Sequence, residues 1–138
     1  PERSFKVEFE DGTVSNSVFI GDNLLKKDQY TYFLDGNHPF MKITSNCESG
    51  RKIMIIKDSY AHCLIPFLTD QYSEITIVDL RYYHDSVSQY MLDNGIEDVL
   101  MIHNLDFLMT DENFVWLKSI DFVRPPAKAG LFTSLWEV

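Results

Sequence analysis

Apolar and polar positions change rhythm at about Gly50. Before it, Phe5, Val7 and Phe9 alternate with Lys6, Glu8 and Glu10, which predicts a half-buried strand, and Asp11-Gly12 follows as a hairpin signal. Val14, Val18, Phe19 and Ile20 predict the return strand. Tyr30 to Leu34 is β-branched and aromatic, Asp35-Gly36-Asn37 punctuates it, and Met41 to Thr44 is the expected partner. Residues 46 to 51 read as a turn.

After Gly50 the order is strand, helix, strand, helix, strand, the pattern of a parallel sheet with crossover helices. Ile53 to Ile56 is a continuous apolar run, the mark of a strand buried on both faces. Tyr60, Cys63, Leu64, Phe67 and Leu68 then form one helical stripe, capped by Asp58 or Ser59 and kinked or shortened by Pro66. Ile75 to Val78 is a second buried strand. A helix over Asp85 to Asp93 turns Val87, Tyr90 and Met91 inward, and Asn94-Gly95 ends it with a left-handed cap. Val99 to Ile102 is the third strand and Glu112 to Ile120 the last helix. The expectation is one α/β domain over 1–138: a β-rich hairpin region to residue 50, a three-layer βαβαβα core over 51–122, and a tail over 123–138. Leu131, Phe132, Leu135 and Trp136 make that tail apolar enough to pack on the core or on another subunit.

A length of 138 residues suits a single domain. Hydrophobic residues make up 45% of it, enough apolar surface to exclude intrinsic disorder. The formal charge of -9 gives a polyanion no footprint, which argues against a nucleic-acid partner. No apolar run reaches the ~18 residues of a membrane span, and Pro1-Glu2-Arg3-Ser4 lacks the pattern of a signal peptide. A first residue other than Met suggests an excised or processed piece. Cys47 and Cys63 are too few for a disulfide framework and lie in no metal-binding spacing, and no phosphate-binding glycine loop occurs, so neither metal nor cofactor is expected.

Chemistry concentrates in Lys57-Asp58-Ser59-Tyr60, where a buried strand runs into a helix. The carboxyl end of a parallel strand is where open α/β sheets place ligands, and a serine there suits a nucleophile; it suits a helix cap equally. A nucleophilic serine needs a base. His84, after Tyr82-Tyr83 at the end of the second strand, could reach the same edge; His38 and His103 are further candidates, while His62, one turn beyond Ser59, reads as a helix-surface residue. Asp79-Leu80-Arg81 brings a guanidinium to that edge, either paired structurally or clamping a carboxylate. Tyr60, Tyr82 and Tyr83 have faces suited to stacking on sugars.

The blocks Gly36-Asn37-His38-Pro39, Lys57-Asp58-Ser59-Tyr60 with Pro66-Phe67-Leu68, Val78-Asp79-Leu80-Arg81-Tyr82 and Asp98-Val99-Leu100 resemble the C-terminal half of the DHHW proteins, over roughly Tyr30 to Leu117. These are bacterial, exported or envelope-attached relatives of the SGNH hydrolases and of alginate O-acetyltransferase-like domains. The resemblance implies an SGNH/flavodoxin-like three-layer parallel sheet, Ser59 in the nucleophile's place, Asn37 near the oxyanion, and acyl transfer or ester hydrolysis on a cell-surface glycan. It implies an extracytoplasmic or envelope location. The Asp-His-His-Trp motif that supplies base and orienting acid is absent here: Trp116 and Trp136 follow no histidine. The expectation is therefore a C-terminal fragment, inactive alone, of an O-acyltransferase or esterase. The alternative is a non-catalytic carbohydrate-binding or assembly module. Exposed apolar edges would favour a homo-oligomer.

Overall fold

In the computed structural model, which describes residues 4–110 and Glu112, a six-stranded sheet runs β2-β1-β3-β5-β4-β6. Its strands are β1 (Phe5–Phe9), β2 (Val14–Ser15), β3 (Phe40–Ser45), β4 (Lys52–Lys57), β5 (Glu74–Val78) and β6 (Asp98–Ile102). Only β5-β4 and β4-β6 pair in parallel; β1-β2, β1-β3 and β3-β5 are antiparallel. The expected parallel sheet is thus corrected to a mixed one. The reason is visible in β3, whose Phe40, Met41, Lys42, Ile43 and Thr44 lie opposite Val78 down to Glu74 and so join the β-rich segment to β5 within a single sheet.

Strict alternation along β4 builds two cores. Ile53 and Ile55 face a cluster with Val7, Met41, Ile43, Ile65 and Ile77, whereas Met54 and Ile56 face Val78, Leu80, Val87 and Ile96. The second side is covered by α2 (Val87–Asn94), where Ser86 caps the first turn by accepting from the Gln89 N–H and Gly95, at φ 64°, closes the last. Val87 is buried there, with Tyr90 and Met91 packed against the cluster as their helical spacing predicts.

Elsewhere local chemistry overrides periodicity. Tyr30 to Leu34 is not a strand, because Asp28 accepts the Tyr30 N–H and the Thr31 hydroxyl donates to the Asp28 carbonyl, folding Gln29–Tyr32 into a 3-10 turn. Only Phe33 keeps a bridge, to Phe19, and β3 takes β1 and β5 as partners instead. The helix after β4 begins as a 3-10 segment (Ser59–Leu64) and continues as α1 (Ile65–Leu68), with Pro66 tolerated in its first turn. Tighter winding turns most of the predicted stripe outward: Tyr60, Leu64 and Phe67 are exposed, Leu68 still packs on the core, and Ala61, His62 and Ile65 are buried. A further helix, α3 (Leu105–Thr110), follows β6 in a stretch to which the sequence pattern assigned no element. The helix expected at 112–120 and the tail over 123–138 lie outside the described residues.

Candidate active site

Three segments converge where β4 and β5 end. Lys57 closes β4, and Asp58 then caps the 3-10 segment by accepting the Tyr60 N–H. The second oxygen of Asp58 accepts the Asn104 N–H at 2.6 Å, so the connection from β6 to α3 is fastened to the same point. Asp79 and Arg81 follow β5. The third segment is a turn in which Leu34, Asp35 and Gly36 all have positive φ, of 59°, 58° and 95°. A side chain at Gly36 would meet the Thr31 Cγ2 at 3.1 Å, so the left-handed conformation and the tight space both favour glycine there. The turn is braced by buried Asn23, whose amide donates to Asp35 and to the Thr31 carbonyl. It delivers Asn37.

Ser59 is held from two sides. Its hydroxyl donates to the Asn37 Oδ1 at 2.7 Å and accepts from the Arg81 Nη2 at 3.0 Å. Arg81 is in turn fixed by the buried Asp79 carboxylate through Nε at 2.9 Å and Nη2 at 2.6 Å, a bidentate pairing that leaves the guanidinium little freedom. Burial works to raise the Asp79 pKa, but Arg81 and Lys57 outweigh it and hold the carboxyl below its ordinary value. Behind this pair lies a group the sequence reading missed. Lys57 is only 1% exposed, with its Nζ 3.5 Å from Asp79 Oδ2 and 2.6 Å from His62 Nε2.

That contact corrects the placement of His62 on the helix surface. It is buried, its ring is stacked on Tyr30 at a centroid distance of 5.8 Å, and Nε2 faces an ammonium donor, so the neutral ring carries its proton on Nδ1. Burial, then the Lys57 charge, brings its pKa down to about 4; burial likewise brings Lys57 down to about 8. The signal that could have found this group is the parallel register: Ile56 lies opposite Val78, so Lys57 and Asp79 leave adjacent strands side by side.

The cleft beside Ser59 has a volume of about 250 Å³ and is lined by Asp58, Ser59, Tyr60, Arg81, Asn104 and Asp106, among others. Of the sequence-predicted site residues, Ser59, Asn37 and Arg81 are brought into mutual contact, and Tyr60 borders the same cleft with its ring exposed. His84 is not with them: it lines a second, larger cleft of about 600 Å³. His38 is engaged with Glu10 and His62 with Lys57, so no histidine is among the hydrogen-bond partners of Ser59 within the described residues. An amide oxygen cannot take a proton at neutral pH, so Asn37 orients the hydroxyl without activating it. The arrangement can hold an oxyanion or alkoxide beside a fixed positive charge; lifting the proton requires another group. No cluster of metal-ligating side chains occurs among the described residues.

No family model matches the sequence, and no curated protein matches it. Solved structures do. A DHHW family protein from Eubacterium siraeum is 28% identical, with a TM-score of 0.69 over 86% of this chain and 40% of that one. Bacillus cereus PatB1 is 27% identical, with a TM-score of 0.62 over 76% of this chain and 36% of that one. The same protein with a sulfonyl adduct aligns at 26% identity and the same TM-score. The chain spans about two fifths of the length of these neighbours, and it is similar to a DHHW family protein in both sequence and fold.

Proposed function

We propose that this chain, as a DHHW-like α/β unit, carries the nucleophile of an O-acyltransferase or esterase acting on a cell-surface glycan at the bacterial envelope. The observation that carries the reading is the double hold on Ser59, whose hydroxyl is aimed by Asn37 and faced by an Arg81 that Asp79 keeps in place. A helix cap needs neither residue. The sulfonyl adduct on the PatB1 neighbour adds support, because sulfonylation requires a nucleophilic side chain.

In this reading the Ser59 oxygen attacks an ester carbonyl while its proton passes to a base. Arg81 stabilises negative charge near that oxygen, the alcohol leaves with the proton the base returns, and the acyl group then passes from the Ser59 oxygen to a glycan hydroxyl or to water. The base and its orienting acid come from the segment that bears the Asp-His-His-Trp motif in the relatives, so the residues described here do not complete the reaction by themselves. A phenylmethylsulfonyl label on the full-length protein, located by mass spectrometry, is expected on Ser59. Ser59→Ala should abolish both the label and ester cleavage while leaving the fold intact. Full activity in that variant would end the proposal and leave Ser59 as a structural link between Asn37 and Arg81.

A further inference from the structure

The second cleft has features that the Ser59 chemistry leaves unused. Its wall is aromatic and rigid: Tyr83 stacks on Phe40 at 5.8 Å, and Phe40 meets Tyr90 edge-on at 5.2 Å. At its mouth Tyr82 is 54% exposed, with the Arg81 guanidinium over its ring at 5.3 Å. The carboxylates lining it are Glu10, whose oxygens both face the His38 ring, and Asp85, with no lysine or arginine among its described lining residues. Two of the chain segments that border this cleft also reach Ser59. Arg81, which donates to Ser59, precedes Tyr82, and Asn37, which accepts from Ser59, is two residues before Pro39 on the cleft wall.

We propose that this cleft is the glycan subsite of the Ser59 centre and that it takes a sugar strand free of carboxylate and phosphate groups. The inference rests on the acyl-transfer reading for its chemistry, but the cleft binds sugar whether or not Ser59 reacts. The C–H face of a pyranose is weakly positive and matches the electron-rich faces of Tyr82 and Tyr83, while Asp85 accepts from hydroxyl or amide donors and repels anionic sugars. Continuity through Arg81-Tyr82 and Asn37-Pro39 sets a bound strand beside the Ser59 oxygen, which suits an acceptor.

The test is a titration of the isotope-labelled chain, followed by amide chemical shifts, with chitotetraose as the uncharged probe and tetragalacturonate as its anionic counterpart. Chitotetraose is expected to shift Tyr82, Tyr83, His84 and Asp85 saturably, and tetragalacturonate to leave them unmoved. Tyr82→Ala should weaken chitotetraose binding by about tenfold. Asp85→Lys, at an exposed loop position, should admit tetragalacturonate. No response to chitotetraose, an equal response to both probes, or unchanged affinity in Tyr82→Ala would each overturn the inference. Sulfonyl labelling of Ser59 is scored separately: a labelled serine with no sugar bound sinks the subsite alone, and sugar bound without a label sinks the nucleophile alone.

Discussion

At the scale of single residues, the site is a chain of fixed charges leading to one hydroxyl. Lys57 and Arg81 share Asp79, and His62 accepts from Lys57 while remaining neutral. Neutrality has a consequence for stability. An unfolded chain binds the His62 proton below pH 6.5, but the folded chain resists it until about 4. The unfolded state therefore holds more protons across that window, so this contribution is complete above pH 6.5 and falls away on acidification, by up to roughly 3 kcal/mol. Asp79, held below its ordinary 3.8, loses its own contribution only beneath that range. In His62→Asn, whose amide oxygen can still accept from Lys57, urea midpoints should lose most of their dependence between pH 4 and 6.5. An unchanged slope would mean that the histidine is protonated inside the fold.

At the scale of elements, the sequence made some features legible and hid others for definite reasons. The runs Ile53 to Ile56 and Ile75 to Val78 were readable as buried strands because a strand between two covered faces has no polar side to mark it. The α2 helix was readable from its period and its glycine stop. The Gln29–Tyr32 turn was hidden because its cause is hydrogen bonding by Asp28 and Thr31, which hydrophobic pattern does not report. Ser59 and Arg81 could be singled out by residue type and place, and Asn37 through the family resemblance. Their mutual contact could not, since Asn37 depends on a left-handed turn whose two residues before Gly36 are not glycine. Gly36→Ala tests that turn directly. Alanine must accept a φ near 95° and push against Thr31, so a loss of about 1–3 kcal/mol is expected in denaturant unfolding. Reactivity of Ser59 toward a sulfonyl fluoride should fall with it; unaltered stability and reactivity would show that Asn37 does not rely on the turn.

At the scale of the whole molecule, the mixed sheet ends unevenly. At one margin the short β2 limits the edge; at the other, β6 carries exposed Val99, Leu100 and Met101 along a strand edge unshared among the described residues, with Leu105 and Met109 exposed on α3 beyond it. Such an edge favours pairing with another strand, and a homo-oligomer of this chain would use it. An oligomer formed through this edge should be weakened by Met101→Lys, because a charged side chain on an edge strand opposes pairing, when both proteins are sedimented at one concentration; an oligomer that persists unchanged in the variant would place the contact elsewhere. Asp58 connects that margin to the serine. One of its oxygens accepts from the backbone beside Ser59 and the other from the backbone at Asn104, where α3 begins. Coupling through a shared group is symmetrical in free energy. To the extent that a substrate lying against Ser59 tightens the hold on Asp58, it must also tighten the attachment of α3, and a partner that settles α3 must improve the binding of that substrate by the same factor.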